Sequence, residues 1–192
     1  KDAIAFLLET KFPTAKSKKS LNTEFGLPLA IFQLPSGFSN PLKWFGILFL
    51  AVFEGLFGKP SYDKLILEYG ADKPGDIDYL LSIAKPDIAI LTAIAPVHLN
   101  EGQFQNIEAI RDEKKKLLLS LDEKGTAIIN GDNEYCKNVL PEIKAKTWTF
   151  GIAQGNTISA KNITSTLQGL TMEIIFEGKS FPFHSNIIGS QH

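Results

Sequence analysis

The 192 residues are 44% hydrophobic and 21% charged, ordinary proportions for a globular chain long enough to bury one sizeable core. A net charge of −1 leaves no electrostatic footprint for nucleic acid. The single cysteine, Cys136, excludes an internal disulfide framework and fits a reducing, cytoplasmic setting.

No starting methionine or signal peptide precedes KDAIAFLLETKF, which reads as the middle of an amphipathic helix; the expectation is a chain cut from something longer. Residues 41–58, PLKWFGILFLAVFEGLFG, are apolar nearly all round. They fall short of the ~20 residues that a spanning helix needs, and Glu54 interrupts them. A buried or partner-covered helix is the first expectation, and a helix resting in a membrane interface the second.

Continuous apolar runs recur at 65–67, 88–94, 127–129 and 148–150. Runs without alternation predict strands covered on both faces, as in parallel sheets. Between them, residues 76–84 place Ile77, Leu80, Leu81 and Ala84 on one helical face and stop at Lys85-Pro86. This alternation predicts an α/β fold: a three-layer, mostly parallel sheet flanked by helices. After Gly151 the texture changes to NTISAKNITS, LTMEIIFEG and KSFPFHSNII, separated by Gln168-Gly169 and Glu177-Gly178-Lys179. A small antiparallel appendage is expected there.

In open parallel sheets ligands sit beyond the carboxyl ends of strands. Glu68 and His98 both fall after predicted strands, and a carboxylate meeting an imidazole there would hold a divalent cation. In the helix that follows, Ile107, Ile110, Leu117, Leu118 and Leu121 form one apolar stripe at ~100° per residue, with Lys114 in its middle. Lys115 lies about a quarter-turn away and Lys116 opposite, both reading as solvated face. The plain alternative for Lys114 is a lysine snorkelling from the core edge. Burial without a partner disfavours the charged form. A neutral amine can attack as a nucleophile or take up carbon dioxide as a carbamate, whose oxygens suit a hard cation.

The run LEYGADKPGDIDYLLSIAKPDIAILTAIAPVHL, with NTEFGLPLAI before it and GTAIINGDNE and TFGI after it, resembles the central domain of the Mur ligases. Within that family it looks most like the MurF type, because Pro96-Val97-His98-Leu99 stands where related tripeptide-forming ligases carry an Asp-His-Leu-Asp motif. The likeness covers nearly the whole chain apart from 41–58. It implies a P-loop NTPase-like domain: residues 1–151 as a truncated ATP-binding region with a helical insertion at 41–58, and 152–192 as its antiparallel subregion.

The resemblance also implies a reaction. ATP would phosphorylate the carboxylate of a nucleotide-sugar peptide, and the amine of D-alanyl-D-alanine would attack the acyl phosphate, with Mg2+ offsetting phosphate charge. By position, Glu68 and His98 would ligate magnesium and Lys114 would be the carbamylated lysine. Asn22 and Glu24 would lie near the reacting groups, and Asn130 and Asp132 near the nucleotide. Asn22 and Asp132 also read as ordinary turn and cap residues.

Departures from the family are specific. No Gly-rich loop ending Gly-Lys-Thr or Gly-Lys-Ser occurs in the 192 residues, and the family places it directly before Lys1. Ser190-Gln191-His192 replaces a common Gly-Arg-His-Asn, Ala93 replaces a frequent asparagine, and NEGQFQN after His98 is a longer loop than usual. The fragment alone is expected to bind ATP poorly and to turn over nothing. Two alternatives remain at this stage: another ligase with the same central domain, such as a folylpolyglutamate synthase, or a noncatalytic domain docking on a membrane or protein through 41–58.

Overall fold

The computed structural model describes residues 1–18 and 21–186. The chain divides into two compact units, Lys1–Ala84 and Lys85–His192. The first holds α1 (Asp2–Leu8), β1 (Thr14–Lys16), α2 (Gly26–Ile31), α3 (Pro41–Phe57), β2 (Lys64–Ile66) and α4 (Asp76–Ile83). Strands β1 and β2 pair in parallel, with Ala15 opposite Leu65. The boundaries of α3 and α4 have local causes. Asn40 caps α3 by accepting the Lys43 amide at 3.1 Å, with Pro41 pre-set at the first helical position. Helix α4 starts after Gly75, whose φ of 93° favours glycine, and runs out at Ala84 before Lys85-Pro86.

Helix α3 is apolar nearly all round, yet of its seventeen residues only Ile47 is buried. Its inner side, with Trp44, Ile47 and Ala51, faces Phe25, Leu29 and Phe32 across a small void of about 150 Å³. Trp44 donates its indole N–H to the Phe38 carbonyl at 2.8 Å. Burial within this chain, one half of the first expectation, is therefore corrected: most of α3 is uncovered, and covering by a partner or a membrane interface stays open. Among the described residues no helix is long and apolar enough to cross a membrane.

The second unit contains β3 (Ile88–Leu91), α5 (Ile107–Leu119), β4 (Thr126–Asn130), α6 (Glu134–Lys137), β5 (Lys146–Gly151), β6 (Ile158–Thr166), β7 (Gly169–Phe176) and β8 (Lys179–Ser185). These strands form one sheet in the order β3-β4-β5-β6-β7-β8. The first four run parallel, with Ile90 opposite Ile128 and Ile128 opposite Trp148. Strand β6 joins β5 in parallel through Phe150 and Ile158, then leads an antiparallel meander. The expected fold class holds: α/β, mostly parallel, with antiparallel strands after Gly151. Its core is apolar, with Ala127, Ile129, Ile110, Leu118 and Cys136 each at most 1% exposed.

Strand β3 ends three residues before the apolar run does. The carbonyls of Thr92, Ala93 and Ile94 leave the ladder and are taken by side chains instead. Helix α5 likewise stops at Leu119, short of the expected Leu121, as Ser120 turns its hydroxyl onto the Leu117 carbonyl. Leu121 is buried beyond the helix end.

Candidate active site

In the first unit, the strand exit after β2 and the loop before α2 lie together. Ser17, fully buried, donates its amide to the Ile66 carbonyl at 3.0 Å, and its hydroxyl oxygen accepts the Glu68 amide at 3.3 Å. Glu68 is thereby fixed two residues past the strand, its carboxylate 3.1 Å from Lys1 Nζ and partly open to solvent. The Asn22 carbonyl accepts the Gly70 amide at 2.8 Å. A Cβ on Gly70 would press within 3.0 Å of Asn22, so this approach favours glycine. Beside it opens a cavity of about 600 Å³ lined by Thr23, Glu24, Gly70, Asp72, Lys73 and Tyr79, among others. Glu24 thus lines this cavity and Asn22 borders it through Gly70, while Glu68 is held two residues before Gly70 by Ser17 and Lys1.

The second unit builds its site on the exit of β3. Lys114 Nζ lies 3.5 Å from the Ala93 carbonyl, Asn130 Nδ2 donates to Thr92 at 2.8 Å, and Asn133 Nδ2 donates to Ile94 at 3.0 Å. Three consecutive carbonyls are held by side chains from α5, the end of β4 and the cap of α6. Burial pulls the Lys114 amine below the usual lysine value, while the Cys136 thiol nearby opposes that change. Burial likewise pushes Cys136 up to about 11, so it stays a neutral thiol at ordinary pH. His98 sits in the left-handed region at φ 57°, an uncommon conformation for a residue with a side chain. The Phe104 amide closes the loop onto its carbonyl at 3.0 Å, and Gln103 Nε2 stands 3.5 Å from its Nδ1.

Asp132 works as a clasp. Its carboxylate accepts the amides of Ile152 and Ala153 and, at 2.9 Å, the side chain of Asn156. The Ile152 amide leads in holding its pKa below the ordinary carboxylate value. Asn130 accepts the Asp132 amide at 2.9 Å in the same turn. Gly151 is required opposite, because a Cβ there would collide with the Asp132 carboxylate. Both residues therefore have structural work in the turn. The folded carboxylate is the stronger acid, so its stabilisation is present above pH 3.8 and is lost as pH falls through the folded value. Asp132→Asn is expected to cost about 1 kcal/mol at pH 7, a figure reduced for solvent exposure, with the difference shrinking in acid. Urea midpoints at pH 7 and pH 3 check this.

The wheel's treatment of the lysine run needs correcting. Lys115 is only 20% exposed and pairs with Glu142 at 2.9 Å and Asp112 at 3.3 Å. Lys116 pairs at 2.7 Å with Glu113, which is buried at 3% exposure. Neither lysine is plain solvated face, because acids on α5 and just after α6 draw both down onto the helix. Sequence reasoning also missed Ser17 and Asn133. For Asn133 a signal existed: an asparagine three residues before Cys136 at a helix start, where it accepts the Cys136 amide at 3.1 Å.

Residues 53–192 match the family model described as the Mur ligase middle domain. The chain belongs to the Mur ligase family. It is 29% identical over 178 residues to the UDP-N-acetylmuramoyl-tripeptide–D-alanyl-D-alanine ligase of Buchnera aphidicola (subsp. Baizongia pistaciae), a match covering 91% of this chain and 32% of that protein. Among solved structures it resembles MurF from Acinetobacter baumannii, with a TM-score of 0.78 and 19% identity over 100% of this chain and 36% of that one. It also resembles MurF from Thermotoga maritima in complex with ADP, with a TM-score of 0.69 and 25% identity over 93% of this chain and 35% of that one. This Mur ligase chain spans about a third of the length of the curated relative it matches. Ser190, Gln191 and His192, where the sequence departs from the family's ending, lie outside the described residues.

The donor set can be weighed against magnesium chemistry. Among the described residues no three His, Cys, Asp or Glu side chains gather to hold a metal ion by themselves. Magnesium asks less, since it keeps several waters and takes one or two carboxylates plus substrate phosphate. Glu68, an accessible oxygen donor past a strand end, fits that demand. In the second unit His98 offers a nitrogen donor, which is less usual for a hard cation. Lys114, with its charged form disfavoured by burial, fits an amine that forms a carbamate.

Proposed function

We propose that this chain is the central-domain portion of an ATP-dependent carboxylate–amine ligase that adds D-alanyl-D-alanine to a UDP-N-acetylmuramoyl tripeptide in cytoplasmic cell-wall precursor synthesis. The observation that carries the reading is Lys114. An amine in the apolar stripe of α5, lowered in pKa by burial and turned toward the Ala93 carbonyl, is the group this chemistry asks for, on a chain whose relatives bear the ligase's name.

ATP would phosphorylate the substrate carboxylate, and the amine of D-alanyl-D-alanine would displace phosphate to give the amide. Within the second unit, His98 and the carbamate of Lys114 would serve Mg2+, which when bound offsets negative charge on the phosphates, and in the first unit Glu68 is an oxygen donor of the kind the same cation takes. The remaining work belongs to the chain itself. Asn130 and Asn133 hold the exit of β3 against β4 and α6, so Lys114 keeps its place at Ala93. Glu24 and the cavity beside Asn22 would orient the peptide end of the substrate.

Phosphate release by the full protein, assayed with a panel of acyl acceptors and amines, tests the proposal. Release that requires both the UDP-linked tripeptide and D-alanyl-D-alanine is expected. Release driven instead by another amino acid, or by a folate, would assign the chain to a different ligase of this fold. The 192 residues by themselves are expected to hydrolyse no ATP.

A further inference from the structure

The outward side of α3 is a different kind of surface from the rest of the chain. Phe45, Phe49, Phe53 and Phe57 recur every four residues and make one ridge, each between 51% and 77% exposed. Leu42 and Leu56 lie along it, 85% and 71% exposed. At ~100° per residue, the arc from Val52 through this ridge to Leu50 spans nearly half the helix without one polar side chain. The two charges of the helix, Lys43 and Glu54, sit at one margin of that arc. Lys59 follows just past the C-terminal Gly58, so exposed lysines bracket the helix at both ends. Exposed Phe38, whose carbonyl takes the Trp44 indole, extends the apolar surface at the N-terminal foot.

A face of this area on a water-soluble surface marks an interaction site. Its chemistry selects among occupants. Protein interfaces carry a polar rim and about one hydrogen bond per 100–200 Å² to fix register. Here the exposed arc offers no side-chain donor or acceptor. A lipid surface needs none, and it rewards aromatic and leucine side chains with lysines at the headgroup level. The charges at the helix itself agree: Lys43 and Lys59 flank the ridge, both exposed, against Glu54 alone. At 17 residues the helix has a length suited to lying along an interface, and no helix among the described residues is long and apolar enough to cross one.

We propose that α3 seats the protein on an anionic membrane surface, with the phenylalanine ridge entering the acyl boundary and Lys43 and Lys59 meeting acidic headgroups. This site is separate from the proposed ligase chemistry and does not depend on it.

Flotation of the full protein with vesicles tests the assignment, using phosphatidylcholine alone and phosphatidylcholine mixed with phosphatidylglycerol. Binding to the mixed vesicles is expected, reduced at least tenfold by Phe49→Glu with Phe53→Glu. Lys43→Glu with Lys59→Glu should weaken binding to the mixed vesicles severalfold and leave the weak binding to the neutral ones unchanged. A conservative variant guards against misfolding: Phe49→Trp should bind as the parent does and lose its fluorescence to bromine-labelled acyl chains. Absence of vesicle binding by the parent protein, or an unquenched tryptophan at position 49, overturns the proposal. A dimer in light scattering that Phe49→Glu dissociates, without any vesicle binding, assigns the ridge to a second copy and also overturns it.

Discussion

Replacing Lys114 by methionine is expected to lower ligase turnover of the full protein by on the order of 10²–10³-fold while making the folded chain more stable. The opposed signs come from one cause. Lys114 occupies the apolar stripe of α5 and pays desolvation that a thioether does not. Its folded pKa lies below the usual 10.5, so between the two values the unfolded chain binds more protons than the folded one. Stability is therefore reduced below the folded value and recovers as pH rises toward 10.5. Lys114→Met should remove that alkaline recovery and raise the melting midpoint near neutrality by about 2–4 °C. Thermal melts across pH, beside turnover measured at one pH, separate the two effects. A variant that lost activity and stability together would mean that the amine is a structural brace rather than a group held for chemistry.

The second large effect is expected at Lys116. Its ammonium lies 2.7 Å from Glu113, a carboxylate only 3% exposed. Removing the cation takes away one partner of a buried carboxylate, and Lys116→Ala should cost about 1–2 kcal/mol. Glu113→Gln with Lys116→Met removes both charges and should recover most of that loss, since a desolvated pair often contributes little net stability over apolar replacements. Denaturant midpoints of the single and double variants give the coupling directly. Equal midpoints for Lys116→Ala and the parent would refute the account.

The fold was largely legible because its signals are local. Unalternating runs at β3, β4 and β5 announced strands of a parallel sheet, and Gln168-Gly169 and Glu177-Gly178 marked the turns between β6, β7 and β8. The α5 stripe put Lys114 on the side that meets the exit of β3, where its Nζ stands 3.5 Å from the Ala93 carbonyl. What escaped depended on partners distant in sequence. Lys115 finds Glu142 twenty-seven residues away, and no periodicity announces that pair. The burial of Glu113 depends on packing around α5, which a charged run hides. Asp132 was legible as a turn residue, but the partners that it and Asn130 find, Thr92 and residues 152–156, lie too far along the chain for any local pattern to name. For α3, the apolar pattern was plain but its exposure was not, because hydrophobicity does not say which surface will do the covering.

Strand β8 bounds one side of the six-stranded sheet among the described residues, and it carries Pro182 opposite Glu173. A proline has no amide hydrogen to lend, so a stray chain aligning there meets an interrupted template. Where β8 meets no further strand, that gap in its row of donors discourages pairing by a second copy, and Pro182→Val is expected to speed thioflavin-binding aggregation relative to the parent.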